Sequence, residues 1–395
     1  MKPEDIRENS RIARRMSDIQ PFHVMALLAR AREMEAQGRS IIHMEIGEPD
    51  FPTPQPVITA GIRALQQGKI HYTPALGLPQ LREAIAAFYM ERYGLRISPA
   101  RIIVTPGASG ALLLALGILV NPGEKVLMSD PGYPCNRHFV RFIESLPIGI
   151  GTDAATGYQL TPELIAKHWD AKTAAVMIAS PANPTGTLLD PESLRAIVEK
   201  VHALGGKLIA DEIYHGLVYQ GEAATALSVS DEVFVINSFS KYFGMTGWRL
   251  GWLVAPETYV RDADKLAQNI FLAASTPAQY AALAAFQPET IAILEQRRAE
   301  FQRRRDYLLP ALRNLGFDVA IIPQGAFYLY ADCSRFTKNS EAFARDVLDH
   351  AGVAITPGMD FGNYEAKRHV RFAYTTSLEN LGEGVRRLEA FLCNR

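Results

Sequence analysis

Residues 101–120 read RIIVTPGASGALLLALGILV: a short apolar run, a turn, then a longer apolar stretch. The first part, Arg101 to Thr105, has the length and β-branched content of a strand, and Pro106-Gly107 interrupts it. The second, Ala108 to Val120, suits a helix and is too short for a bilayer span, which needs about 20 residues. Outward from this unit the alternation continues through KVLMS, AAVMIAS, a helical pattern from Leu194 to Leu204, KLIAD, VFVIN and LGWLV, ending at Val254. Short apolar runs separated by helical patterns predict an α/β fold: a mostly parallel sheet with helices on both faces.

On either side the texture differs. Asp18 to Gln37 carries apolar residues at helical spacing with Gly38 placed to end the helix, and a strand Ile41 to Ile46 then enters the turn-rich GEPDFP. Beyond Thr276 comes a long charged amphipathic pattern, Ile291 to Leu315. After it stand GFDVAIIPQGAFYLYADC, a helix from Ser340 to Ala351, VAITPG, the strand HVRFAYTT and a final helix from Glu379 to Leu392. The expected organisation is a large domain over 48–290, a smaller α+β domain over 291–395, and an N-terminal segment, 1–47, packing with the smaller one. A ligand belongs in the crevice between them, at the carboxyl ends of the parallel strands.

Bulk properties narrow the function. Lys+Arg 41 against Asp+Glu 42 leaves no charge excess to favour nucleic acid or an anionic membrane. Cys135, Cys333 and Cys393 are scattered, form no CxxC pair and read as reduced packing residues. The start of the chain, MKPEDIRENSRIARRM, mixes acids with bases and lacks the apolar core of a secretory signal, so the expected location is the cytoplasm. The histidines show no HExxH or paired-ligand spacing; His215 reads as a packing residue and His71 as one near an interface.

Chemistry concentrates in SFSKYFGMTGWRLGW, residues 238–252, which follows the run Val233 to Ile236. Lys241, at a rigid strand end among Ser238, Ser240 and Arg249, has cationic neighbours that would lower its pKa and let it form a Schiff base. The alternative is a surface lysine in a loop. AAVMIAS runs into PANPTG and KLIAD into EIY, which puts Asn183, Asp211 and Tyr214 at strand ends on the same side as Lys241. Asp211 could hold a protonated ring nitrogen, and Asn183 and Tyr214 a phenolic oxygen, although, taken singly, Asn183 is more often a turn residue and Asp211 more often a helix cap. In TPGASGA, a helix N-terminus and Ser109 would suit a phosphate; the spacing is neither a Walker nor a dinucleotide fingerprint. Arg371, inside the apolar HVRFAYTTS, is costly to bury unless it meets a carboxylate, from a ligand or from an internal acid.

Taken in order, IGEPDF, YTPALGLPQLREAIA, GASGAL, DPGYP, NPTG, DEIY, SFSKYFGMTGWRLGW and RFAYTTS resemble the fold type I pyridoxal-phosphate aminotransferases, the class I/II family that includes aspartate aminotransferase. The resemblance implies that Lys241 holds pyridoxal 5′-phosphate covalently and shuttles a proton at the substrate Cα, with Asp211 partnering the ring nitrogen. It implies Asn183 and Tyr214 at the ring oxygen, Tyr133 on the ring face, and Ala108, Ser109, Ser238 and Arg249 around the phosphate. Tyr72 resembles a tyrosine that reaches the phosphate from a neighbouring subunit, which implies a homodimer with shared active sites. Arg371 matches the clamp on the substrate α-carboxylate, with Gly47 beside it. The reaction so implied transfers an amino group between an amino acid and a 2-oxo acid, 2-oxoglutarate or pyruvate, with ping-pong kinetics.

Two positions depart from the aspartate enzymes: Tyr133 stands for a tryptophan and Ser109 for the lysine some bacterial members carry. Arg30, Arg32, Arg137 or an arginine from a neighbouring subunit are the candidates for an acidic side chain, whereas Phe22, Tyr133 and Phe361 would make an apolar pocket. A C–S β-lyase of the same fold is an alternative, releasing pyruvate and ammonia. A non-catalytic, aminotransferase-like regulator is a remoter one, since only about forty residues precede IGEPDF and they hold no basic recognition helix. A nicotinamide dehydrogenase is disfavoured by the missing GxGxxG.

Overall fold

The computed structural model describes residues 11–394, so residues 1–10 of the expected N-terminal segment lie outside the described residues. After a two-residue strand β1 (Ile42–His43), the chain builds a seven-stranded sheet from β2 (Ile102–Thr105), β3 (Lys125–Asp130), β4 (Leu146–Gly151), β5 (Thr173–Ala179), β6 (Lys207–Asp211), β7 (Phe234–Ser238) and β8 (Gly251–Val254). Their spatial order is β2-β8-β7-β6-β5-β3-β4. Neighbours run parallel except β8, which is antiparallel to both β2 and β7.

The near-continuous apolar runs are explained by burial on both faces. Side chains alternate across a strand. Leu127, Val176, Ile178, Leu208, Ala210 and Val235 therefore enter one core, while Val126, Met128, Ala175, Met177, Ile209 and Phe234 enter the other. The helix Gly107–Leu119, apolar nearly all round, is packed into the second core through Ala111, Leu112, Leu114, Ala115 and Leu116.

Toward the C-terminus, β9 (Tyr328–Asp332), β10 (Val353–Ala354), β11 (Thr356–Pro357) and β12 (His369–Ala373) follow the long helix Pro288–Leu315. An antiparallel sheet has the order β11-β12-β9, and β10 pairs in parallel with β1. The front of the chain is sewn to this region: the Ala373 amide donates to the Met44 carbonyl at 2.7 Å and the Thr356 hydroxyl to the Glu45 carbonyl at 2.8 Å. The last helix, Leu378–Cys393, lies against Pro288–Leu315 and closes over Met44 with Gly384, where a Cβ would come 2.3 Å from the methionine.

Several boundaries differ from the sequence reading. The expected strand 41–46 is only Ile42–His43, because Met44 to Ile46 spend their carbonyls on β12, Thr356 and Thr375. The first long helix is His23–Ala36, shortened by Pro21 and capped from far away: both oxygens of Asp360 accept the amides of His23 and Val24, at 2.7 and 2.9 Å. Strand β4, LPIGIG, escaped the pattern because proline and alternate glycines mask it; proline is tolerated there because β4 is an edge strand.

One close approach joins the sheet to the helix that faces the ligand crevice. A Cβ on Gly251 would sit 2.7 Å from the Gly107 carbonyl carbon and 2.8 Å from the Ala108 nitrogen. We expect Gly251→Ala to push the first turn of that helix off β8 and to cost roughly 1–3 kcal/mol in urea unfolding; a change under about 0.5 kcal/mol would show that the helix start has room to move.

Candidate active site

The carboxyl ends of β5, β6 and β7 lie side by side, with Ala179 in register with Asp211 and Asp211 with Ile236. The loops leaving these ends carry Asn183, Tyr214 and Lys241 into one cavity of about 330 Å³. Gly47, Ala108, Ser109, Tyr133, Asp211, Ser238, Arg249 and Arg371 also line it, so every residue matched from the sequence to the cofactor or the α-carboxylate is gathered there except Tyr72. Tyr72 is 82% exposed and stands away from the cavity of its own chain.

Lys241 donates from Nζ to the Gly47 carbonyl at 2.6 Å and lies over the rings of Tyr214 and Phe327, at 5.9 and 5.8 Å from their centroids. Burial pulls its pKa down to about 8; the positive charges of Arg371 and Arg249 act in the same direction, and Glu48 and Asp211 oppose them. The shift brings the amine closer to the neutral state that a nucleophile or proton acceptor requires. Asp211 shows the converse shift: burial raises it to about 6, against the Ile213 amide at 3.2 Å and the charge of Lys241.

Arg371 is buried on the middle strand of the small sheet. It donates to Asn183 Oδ1 at 2.9 Å, to the Glu45 carbonyl at 2.5 Å and to Thr356 Oγ1 at 3.3 Å, and its Nε has no partner. Its guanidinium covers the rings of Tyr328 and Phe361, 4.2 and 4.8 Å from the centroids. No acidic side chain among the described residues forms an ion pair with it, so the internal-acid alternative is not realised.

At the other end, the helix Gly107–Leu119 presents its first turn, Ala108 and Ser109, beside Arg249. Gly107 has φ +69° and a Cβ there would lie 2.8 Å from Arg249 Nη2, which is why glycine is required. Arg249 itself adopts φ 55° and donates from Nη1 to the Thr246 carbonyl at 3.0 Å. The Ser238 hydroxyl accepts the Ser240 amide at 3.0 Å and holds the turn before Lys241.

The sequence reading missed Tyr328. Its hydroxyl is 2.7 Å from that of Tyr214, it underlies Arg371, and it leaves no room at Gly47, where a Cβ would come 2.0 Å from the Tyr328 oxygen. Within GAFYLYADC nothing separates this tyrosine from a core aromatic. Thr356 and Asp360 were missed for a similar reason, since they sit in short elements without periodicity. Phe22, Tyr133 and Phe361 do line the cavity, joined by Val24, Met25 and Leu112. Arg30 is tied to Asp349 at 3.2 Å, Arg32 is exposed, and Arg137 lines an adjoining chamber. His215 is buried, held by Tyr93 at 3.0 Å and depressed to about 3 by burial; among the described residues no group of side chains is placed to hold a metal ion.

Residues 39–388 match the family described as aminotransferase class I and II. The chain is 39% identical to the valine–pyruvate aminotransferase of Mycobacterium tuberculosis, over 95% of this chain and 97% of that one. It is 37% identical to the (5-formylfuran-3-yl)methyl phosphate transaminase of Methanocaldococcus jannaschii, over 96% and 99%. Its fold superposes on the crystal structure of an aminotransferase from Mycobacterium tuberculosis with a TM-score of 0.95 and 38% identity, covering 98% of this chain and 100% of that one. The chain belongs to the class I and II aminotransferases, a family of pyridoxal-phosphate-dependent transaminases.

Because the folded-state pKa of Asp211 is raised, protonated Asp211 favours folding at low pH, and that contribution is lost as pH rises through about 6. In cofactor-free protein, Asp211→Asn is expected to be more stable than the parent by roughly 2–4 kcal/mol at pH 8 and about equal to it at pH 4. Calorimetric unfolding at the two pH values checks this; a gain that does not depend on pH would remove the buried carboxylate as its cause.

Proposed function

We infer that the protein is a pyridoxal 5′-phosphate-dependent aminotransferase that moves the amino group of an L-amino acid with an apolar side chain to a 2-oxo acid, 2-oxoglutarate or pyruvate, by a ping-pong mechanism. The observation that carries this reading is Arg371: a buried guanidinium without an acidic partner, lining the same cavity as a lysine depressed to about 8. Such a cation is costly alone and is stabilised when a ligand carboxylate arrives in its fork.

The cavity suits the cofactor. Asp211 is a buried carboxylate for a ring N–H; Ser238, Arg249 and the first-turn amides of Ala108 and Ser109 suit the phosphate; Tyr133 offers a ring face. Asn183 Oδ1 accepts from Arg371, leaving its amide protons, with the Tyr214 hydroxyl, for a ring oxygen. Bound there, pyridoxal 5′-phosphate supplies an aldehyde that carries the amino group between substrates and a ring that accepts the charge left at Cα.

The chain's own groups account for the rest. Arg371 fixes the α-carboxylate and so points the Cα–H at Lys241, whose neutral amine takes the proton and later returns it. The Gly47 carbonyl holds that amine in place, and the Tyr214–Tyr328 hydroxyl pair lies between the lysine and the arginine, one ring under each. Phe22, Val24, Met25, Leu112 and Phe361 receive the donor's side chain, which supports an alanine, branched or aromatic donor over an acidic one; the name of the valine–pyruvate relative accords with this. Tyr72, exposed and away from its own cavity, is assigned to the phosphate of the neighbouring site in a cytoplasmic homodimer. We divide the chain into domains over 48–290 and 291–395, with the described part of the N-terminal segment, 11–47, packing on the latter through Met44 and Glu45.

Lys241→Ala should abolish transamination while the unfolding transition is kept; undiminished turnover would sink the assignment. Arg371→Ala should raise the KM for amino acids by roughly 10- to 100-fold, far more than it weakens cofactor binding, and equal effects on both would remove the clamp role. Mixing the holoenzyme with single amino acids and no 2-oxo acid should shift the cofactor's absorbance band once per site; a steady band with accumulating pyruvate and ammonia would mean a C–S lyase.

A further inference from the structure

Two buried tyrosines meet in the cavity, Tyr214 from the turn after β6 and Tyr328 from the start of β9. Their hydroxyl oxygens stand 2.7 Å apart, and among the described residues neither hydroxyl has a second hydrogen bond. The two rings cross edge to face at 81°, and Phe327 packs edge-on against both, so the meeting point has little freedom. Phenylalanine has the same shape without the oxygen, and a buried hydroxyl is costly unless it is bonded. The pair therefore invites an account of where its protons go.

Both hydroxyls keep their protons, because burial raises the pKa of each. Two protons thus stand at a contact that needs one. Gly47 crowds the Tyr328 oxygen, where a Cβ would come 2.0 Å away, and the Gly47 carbonyl is already taken by Lys241. Among the described residues the Tyr328 proton has no bonded acceptor other than the Tyr214 oxygen. Arg371 lies over the Tyr328 ring, 4.2 Å from its centroid, and this positive charge makes the Tyr328 O–H the readier donor. Tyr214, once it accepts, has its own proton left over, and it lines the cavity into which that proton can turn.

A hydroxyl that accepts one hydrogen bond donates a stronger one, since chains of hydrogen bonds polarise one another. Resting on the aminotransferase reading above, we propose that Tyr328 is a positioning residue for Tyr214: it donates to the Tyr214 oxygen, leaves the Tyr214 O–H for the ring oxygen of pyridoxal 5′-phosphate, and strengthens that bond. The negative charge of that ring oxygen is partly neutralised by the proton on the nitrogen that Lys241 contributes. A stronger donor at the oxygen takes over this task, and the nitrogen proton leaves at lower pH. Arg371 covers the same ring that feeds Tyr214, so one side chain connects the carboxylate clamp to the cofactor oxygen.

The test follows the absorbance of the holoenzyme across pH in the parent, Tyr328→Phe, Tyr214→Phe and the double variant. Tyr328→Phe keeps the ring beneath Arg371 and removes only the donor. The midpoint at which the cofactor's band changes is expected to rise by roughly 0.3–1 pH unit in Y328F, the size of one hydrogen bond. Added to Y214F, the same change should move the midpoint by less than about half as much, because Tyr328 acts through Tyr214. An unchanged or lowered midpoint in Y328F overturns the proposal. A shift of equal size in both backgrounds overturns it as well, since a tyrosine that merely packs would act without Tyr214. A parent that shows the band and the shift but exchanges no amino groups would sink the aminotransferase reading alone.

Discussion

Arg371 holds the molecule's functional region together. Its guanidinium draws the Glu45 carbonyl, Asn183 and Thr356 onto one planar fork, which fixes the N-terminal segment, the loop after β5 and strand β11 relative to one another. These are parts of the chain separated by up to 326 residues. A planar, always charged donor set is suited to this because each donor has a fixed direction. None of the three partners is an acid, so the positive charge stays uncompensated inside the cavity and acts on Lys241.

The parallel sheet supplies the second constraint. Its crossovers deliver β5, β6 and β7 in register, so their loops open on one side and the polar residues after each strand converge without any of the strands being distorted. Burial then pushes two opposite groups toward neutrality, Asp211 up to about 6 and Lys241 down to about 8. Next to Asp211 in the chain, Glu212 is raised by burial to about 8 and His215 lowered to about 3, although the two stand 3.5 Å apart. This layer is largely neutral near pH 7, so Asp211 faces the cavity without a competing full charge behind it.

Much of the site was legible because it follows strands. Asn183, Asp211, Ser238 and Lys241 come directly after or end apolar runs, and a strand's end places its next residues at the sheet's edge whatever else the chain does. Tyr328 was not legible: its neighbours in sequence are equally aromatic and apolar, and its role comes from meeting Tyr214, which lies 114 residues away. Asp360 is similar, a carboxylate in a short turn whose amide partners are His23 and Val24 at the far end of the sequence. The loop residues around β4 and β11 gave no signal because proline and glycine erase periodicity.

By itself, then, the sequence determined the α/β sheet and the helix behind the phosphate-suited turn, because both are encoded by local alternation, and it singled out Lys241, Asp211 and Arg371 as candidates through the motifs that surround them. The tertiary structure decided which aromatic pair bridges Lys241 and Arg371, what caps the first long helix, and that Arg137 reaches the Asp360 carbonyl. Those outcomes depend on contacts between segments more than a hundred residues apart, and only the folded chain brings such segments within hydrogen-bonding distance.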